Sequence, residues 1–140
     1  MVAVDKKIEL ELVSPEKLLL SEPVDMAVIP GSEGDFGVLA GHALLVATLR
    51  PGVIEVYQGD KVTERLFVGG GFAEVTETRC TVLADEAVPV AEINPIEAQA
   101  EVDRLRRAAD EAANDEERRI AVVQLTIAEA KLAVVGKHAA

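Results

Sequence analysis

Few residues of this chain have the chemistry of a catalytic group, and their spacing is not typical of an active site. The two histidines, His42 and His138, are far apart in the sequence, and the single cysteine, Cys80, lies in a predicted strand. A nucleophile needs a general base within hydrogen-bond reach, and a metal site needs several clustered ligands. The sequence therefore predicts no catalytic residue and no metal site, and the Cys80 thiol is expected to be buried and inert.

Three consecutive glycines, Gly69, Gly70 and Gly71, could form a cradle for a phosphate group. A P-loop also requires a lysine and a helix directly after the glycines. Here no lysine follows, and the next residues, 72–75, are predicted to be a strand. The run therefore predicts a bulge or a close approach of two strands.

The segment with the most turn-forming residues is 28–43, which reads VIPGSEGDFGVLAGHA. Its four glycines permit positive φ angles, so that the backbone can reverse direction several times. The segment would present Glu33 and Asp35 on a shaped loop. Two interpretations remain open: a structural connection whose acids face water, or a docking surface for a basic partner.

Charge and composition exclude several classes of partner. The net charge of -11 would repel a phosphate backbone, so no nucleic-acid partner is predicted. A single cysteine allows no internal disulfide and fits a reducing compartment. No segment approaches the roughly 20 apolar residues of a membrane span. We expect no signal peptide and a soluble protein.

The first two thirds of the chain have the alternating pattern and the turn signals of a β-protein. Residues 21–23 are predicted to form a turn, and Gly59 and Asp60 a two-residue hairpin turn. Many short strands at this spacing predict an antiparallel β-sandwich or flattened barrel. The predicted strands are residues 8–12, 18–20, 24–29, 44–49, 53–57, 62–68, 72–75, 81–84 and 87–90.

After Ile93 the apolar residues recur at helical spacing. Asn94 and Asn114 are predicted N-caps, each followed three residues later by a glutamate. The first helix carries an apolar stripe that starts at Ala98, and Gly136 is the predicted end of the second helix. The fold prediction is thus a sandwich, residues 1–92, followed by an antiparallel two-helix hairpin, residues 93–140. The predicted stripe of the second helix is Ile120, Val123, Ile127, Ala130 and Val134, widened by Leu125 and Leu132.

Four segments resemble, in order, the motifs of the epsilon subunit of bacterial F-type, H⁺-transporting ATP synthases. Residues 31–43 resemble GxEGDFGVLPGHA, with Ala40 in place of the usual proline. Residues 51–53 resemble PGxV, residues 68–75 resemble VSGGFxEV, and residues 81–85 resemble the end of VTVLAD. The resemblance extends over nearly the whole chain and implies the same order of sandwich and hairpin.

The resemblance implies a non-catalytic subunit of the central rotor, or stalk. It would dock the gamma subunit to the ring of c subunits, couple proton translocation to ATP synthesis, and lie beside the alpha/beta catalytic head. The C-terminal helices would be mobile and could inhibit ATP hydrolysis. The expected location is the cytoplasmic face of the bacterial inner membrane, reached only through the complex. The mitochondrial delta subunit shares this fold, and the absence of a transit peptide favours a bacterial chain.

The resemblance also implies which residues meet which partner. Glu33, Gly34 and Asp35 would contact the c ring, and His42 would lie at the gamma subunit, although a structural role in a turn is the alternative for His42. The arginines of the helices would suit acidic surfaces of the beta subunits, or they would simply be solvated. These arginines are Arg104, Arg106, Arg107, Arg118 and Arg119.

Some members of this family bind ATP through a motif of the form [IL]-D-x-x-R-A at the start of the first helix. At that place this chain has Asn94 for the aspartate and Glu97 for the arginine, and Glu97 would repel a phosphate. A similar string, with Asp103 and Arg106 as candidate ATP ligands, lies about two turns later. We therefore expect no cofactor and little effect of ATP.

Two alternatives belong to other functional classes. An unrelated β-sandwich could bind a small ligand and dimerise through its helices, which would require an apolar pocket with convergent polar groups. An enzyme would require a nucleophile paired with a base. The sequence shows neither feature.

Overall fold

The computed structural model describes residues 6–138, with only the backbone of His138. The chain divides after Ala91 into two compact units, a β-sandwich and a helical hairpin. Ten strands form the first unit. They are β1 (Ile8–Val13), β2 (Leu18–Val24), β3 (Met26–Gly31), β4 (Gly34–Val38), β5 (Leu45–Leu49), β6 (Gly52–Gln58), β7 (Lys61–Val68), β8 (Gly71–Val75), β9 (Arg79–Ala84) and β10 (Ala87–Pro89).

The strands form one sheet in the order β10-β7-β6-β3-β5-β8-β9-β1-β2, with β4 paired to β3 alone. The sheet curls until β2 lies against β6, which gives a nearly closed sandwich and confirms the predicted fold class. The pairs are antiparallel except for β1 and β9, which run parallel. The predicted hairpin turn at Gly59 and Asp60 joins β6 to β7.

The predicted turn at residues 21–23 is wrong, because β2 runs through it without interruption from Leu18 to Val24. Pro23 lacks an amide hydrogen and would be excluded from a central strand, but β2 pairs with β1 on one side only. The position of β2 at the end of the strand order therefore makes the proline tolerable.

Alternating residues of the strands form the core of the sandwich. Ile8, Leu10 and Leu12 of β1 are almost completely buried, while Glu9 between them is exposed. Burying an aliphatic side chain of this size stabilises the fold by about 1.5–3 kcal/mol. The core is therefore aliphatic and needs few aromatic residues. Its other fully buried members include Val24, Ile29, Val38, Ile54, Val56, Val75 and Val82.

Polar side chains occupy the region where β2 meets the β6–β7 hairpin. Gln58 Nε2 donates to Pro23 O at 3.0 Å, and the Gly59 amide donates to Asp25 Oδ2 at 2.5 Å. This hydrogen bond lowers the pKa of Asp25, with a smaller contribution from Lys7. In contrast, Glu64 has a raised pKa, because it is partly desolvated and lies beside Glu22.

Replacing Glu64 by glutamine should stabilise the protein at neutral pH. The native pKa of Glu64 is raised, so the folded state holds this proton more tightly. The desolvation of the ionised carboxylate and its repulsion by Glu22 are therefore fully present above the native pKa. The expected gain is less than about 1 kcal/mol, since the site is largely solvated. Urea unfolding at several pH values should show the gain disappearing as the pH falls through the native pKa. A gain that is equal at acid and neutral pH would contradict this explanation.

The second unit consists of α1 (Pro95–Asp110) and α2 (Asp115–His138). The Asn94 side chain accepts hydrogen bonds from the amides of Ile96 at 2.9 Å and Glu97 at 3.1 Å, as expected for an N-cap. Asn114 likewise accepts from Glu117 N at 2.9 Å. The helices lie antiparallel, because residues from the middle of α1 contact residues late in α2.

The predicted contact stripe of α2 is only partly correct, because Leu125 and Leu132, which were predicted to widen it, pack against the hairpin core whereas Ile120 and Val123 do not. The hairpin core is Val102, Leu105 and Ala128, with Leu125 and Leu132 packed against it. Ile120 and Val123 of the predicted stripe are 51% and 55% exposed. Helix α2 is apolar on two sides, and the side with the small residue Ala128 faces α1. The predicted end at Gly136 is also wrong, since the helix continues to His138.

Candidate functional site

The glycine-rich segment is a β-hairpin followed by a loop. Strands β3 and β4 pair from Ala27 with Val38 to Gly31 with Gly34, and Ser32 and Glu33 form the turn. Strand β4 was not predicted, because its glycines and acids suggested an irregular loop. The turn is tight: a Cβ atom on Gly31 would lie 2.7 Å from Gly34 O. We call residues 31–35 the hairpin tip.

The two acids of the hairpin tip are in different environments. Glu33 is exposed and has no hydrogen bond or ion pair with the described residues. Asp35 is also exposed, but its Oδ1 atom accepts from Arg50 Nη2 at 2.5 Å. Arg50 Nη1 donates in addition to Gly31 O. The guanidinium therefore contacts both arms of the hairpin.

The structure does not bring His42 to the hairpin tip. The tip lies beside Thr48, near the end of β5, and Arg50, just after it, whereas His42 precedes the start of β5. Five residues of strand separate the two ends, or about 16 Å. The Gly41 amide donates to Glu77 O at 2.7 Å, and His42 Nδ1 lies 2.7 Å from Ala43 O. The c-ring and gamma candidates thus lie at opposite ends of β5.

Most of the candidate arginines already pair within the hairpin. Arg106 Nη2 lies 2.7 Å from Glu129 Oε2, and Arg104 Nη2 lies 3.8 Å from Glu101 Oε2. At the start of α2, Arg118 pairs with Asp115 at 3.4 Å and Arg119 pairs with Glu116. Among the described residues, Arg107 is the member of this set without an ion pair, and it is exposed.

The candidate ATP ligands are occupied in the same way. Asp103 Oδ1 accepts from Gln99 Nε2 at 3.1 Å, one turn away on α1. Arg106 is held by Glu129 across the hairpin. A phosphate group that binds Arg106 would have to share the guanidinium with this carboxylate or displace it.

The other residues with possible chemistry are structural in the described part of the chain. Cys80 is completely buried, and burial raises the pKa of its thiol to about 11. Gly71 lies against Leu83, which is the close approach predicted for the three glycines. Within residues 6–138, no cluster of three or more His, Cys, Asp or Glu side chains is placed to hold a metal ion. No helix there combines the length and apolar character needed to cross a bilayer.

Arg50 is the functional candidate that the sequence analysis missed. It contacts residues 15 and 19 positions away, so no local pattern reveals these contacts. One signal was available: Arg50 is the only lysine or arginine between Lys17 and Lys61. The other charged residues of this stretch are acidic, so an ion pair between Arg50 and one of them could have been expected.

Comparisons with known proteins agree on one family. Residues 7–90 match the model of the ATP synthase delta/epsilon chain β-sandwich domain. The ATP synthase epsilon chain of Paramagnetospirillum magneticum is 51% identical over 130 residues, covering 93% of this chain and 98% of that protein. The epsilon chain of Rhodospirillum rubrum is 55% identical over 129 residues, covering 89% of this chain and 93% of that protein.

Solved structures give the same result. A chain of the Euglena gracilis mitochondrial ATP synthase, from a structure of OSCP, F1 and the c-ring, superposes with a TM-score of 0.77 at 30% identity. The match covers 92% of this chain and 81% of that chain. A chain of the Tetrahymena thermophila central stalk and c-ring has the same fold, with a TM-score of 0.53 at 15% identity. The chain belongs to the family of ATP synthase epsilon chains.

Proposed function

We propose that this chain is a non-catalytic subunit of the central rotor of a bacterial ATP synthase. It joins the gamma subunit to the c ring and so helps to couple proton translocation to ATP synthesis. Its place is the cytoplasmic face of the inner membrane, where it is held by the complex. Family membership supports this function, and so does the similarity to chains from structures that contain F1 and a c-ring.

The observation that carries the docking role is the hairpin tip. Its backbone is fixed by a tight turn, and it exposes Glu33 and Asp35 together. A rigid, exposed, acidic tip is suited to a polar surface with basic groups, because ordering it on binding costs little entropy. We propose that Glu33, Gly34 and Asp35 contact the c ring, and that His42, at the other end of β5, contacts the gamma subunit.

Reversing both acids, Glu33→Lys with Asp35→Lys, should weaken attachment to the c ring. One exposed pair is worth about 1 kcal/mol or less, so the double variant is needed for a clear effect. ATP-driven proton pumping by the reconstituted complex should fall several-fold, while ATP hydrolysis continues. A suitable control is Asp60→Lys, which reverses an exposed acid in the β6–β7 turn, beside the start of β3 and away from the tip at its end. Equal pumping by the double variant and the control would remove the assigned role of the tip.

The helical hairpin would be the mobile and regulatory part, comprising residues 93–140. Its outer face exposes Ile120 and Val123, and apolar side chains that lie together on a surface are typical of an interface. We propose that partner subunits select between two packings of the hairpin, and that one of these inhibits ATP hydrolysis. Of the five arginines, Arg107 is the strongest candidate for a beta-subunit carboxylate, since the other four are paired within the hairpin.

Millimolar ATP should have little effect on the isolated subunit. Asn94 and Glu97 replace the expected aspartate and arginine, and Arg106 is already bound to Glu129. Calorimetric titration with ATP, with Arg106→Ala as the comparison variant, tests this expectation. Sub-millimolar binding that Arg106→Ala abolishes would show that Asp103 and Arg106 do form an ATP site.

A further inference from the structure

The two arms of the hairpin tip are held in different ways. The end of β3 and the turn residue Ser32 contact the end of β5 and the residue after it, Arg50. Ser32 N donates to Thr48 O at 2.9 Å, Ser32 Oγ donates to Thr48 Oγ1 at 2.9 Å, and Arg50 N donates to Pro30 O at 3.0 Å. The first arm of the tip is thus an extension of the sheet.

The β4 arm has no such hydrogen bonds with β5, although Val38 at its far end is buried in the core and Phe36 packs against that core. Strand β4 pairs with β3 and with no other strand of the described chain, so one of its edges is open. At the tip, its contact with the end of β5 is the ion pair between Asp35 Oδ1 and Arg50 Nη2. The same guanidinium donates to Gly31 O on the first arm. An arginine fork can hold two acceptors in a fixed geometry, which a lysine cannot do.

This arrangement also divides the roles of the two acids. The charge of Asp35 is compensated by Arg50, so Asp35 offers a partner little net charge. Glu33, in the turn, keeps an unpaired and exposed carboxylate. The net negative charge of the tip therefore lies on Glu33.

We propose that Arg50 is a positioning residue for the docking hairpin: it fixes the β4 arm through Asp35, so that Glu33 presents the recognition carboxylate to a basic surface of the ring. This inference rests on the proposed docking of the tip to the c ring. It adds an internal anchoring role to the contact with the ring proposed above for Asp35. It also makes Arg50 part of the docking site, although the arginine has the wrong charge for a basic partner.

Amide hydrogen exchange in the full-length isolated chain tests the positioning role without any partner. Arg50→Ala should accelerate exchange at the tip end of β4, residues 34–36, about fivefold, the size expected for an exposed ion pair. Exchange in β8 should not change, and it serves as the internal control. Arg50→Lys should give an intermediate rate, because it keeps the charge but loses the fork. Unchanged exchange of β4 in Arg50→Ala would overturn the inference.

Rebinding to membranes depleted of this subunit tests the division of roles. Arg50→Asp and Asp35→Arg should each weaken binding about tenfold, and the two changes together should recover most of the loss. Glu33→Gln should weaken binding while β4 exchange stays normal. If the double variant, with Arg50→Asp and Asp35→Arg together, does not recover binding to the membranes, the positioning role of Arg50 is wrong. If β4 exchange responds but none of these variants alters rebinding, the ion pair stands and the proposed docking to the ring is wrong.

Discussion

Replacing Gly71 by alanine should destabilise the sandwich by about 3 kcal/mol or more, a large part of the stability of a small domain. Gly71 has a φ angle of 127°, which alanine adopts only with strain. A Cβ atom there would also lie 2.1 Å from Leu83 O and 2.9 Å from Ala84 Cα. Both atoms belong to the backbone of the neighbouring strand β9, so relief requires the two strands to separate.

Gly34→Ala is the matched control for this experiment. Gly34 has a similar positive φ angle, 137°, but a Cβ atom would meet nothing within 4 Å. Its expected cost is the strained conformation alone, about 1–3 kcal/mol. Urea unfolding of the two variants separates the steric effect from the conformational one. Equal losses of unfolding free energy in the two variants would show that β8 and β9 can move apart at no cost.

Leu105→Asp should unfold the helical hairpin and leave the sandwich folded. Leu105 is 3% exposed and packs with Val102 and Ala128 in a small core. An unpaired charge buried there costs about 3 kcal/mol or more, and short helices are marginal without tertiary packing. The far-ultraviolet helical signal should fall strongly, while the thermal transition of the sandwich keeps its midpoint.

The control is Val123→Asp, which places the same charge on the exposed outer face of α2. It should keep the helical signal of the unaltered chain. This pair of variants also tests the predicted division into residues 1–92 and 93–140. Loss of the sandwich transition together with the helices in Leu105→Asp would show that the two units fold as one.

The features that were predictable from the sequence are those that neighbouring residues determine. Asn94 caps α1 because its side chain reaches amides two and three residues ahead, and Gly59 supplies the positive φ angle of a hairpin turn. Contacts between distant residues were not predictable in this way. Pro23 is tolerated because β2 is an outer strand, and the inner face of α2 is chosen by the fit of Ala128 against α1.

The candidate site shows the same limit. The exposed acids of the hairpin tip follow from a segment rich in glycines and polar residues. The different environments of Glu33 and Asp35 do not follow from the sequence, because they depend on Arg50. The course of β5 places this arginine beside the tip. The separation of His42 from the tip was not predictable either, because the sequence of residues 28–43 suggests a single loop. The separation is visible only once the positions of β4 and β5 are known.

The parallel pairing of β1 with β9 has a consequence for the order of folding during synthesis. Residues 9–13 pair with residues 79–83, so the first strand to leave the ribosome waits for one of the last strands of the sandwich. Contacts so distant in sequence slow folding, whereas the contacts of α1 with α2 are local and form quickly. Until β9 has been synthesised, β1 has only β2 as a neighbour, and its other edge is free to pair incorrectly. The nascent sandwich is thus most vulnerable to aggregation shortly before its last strands emerge.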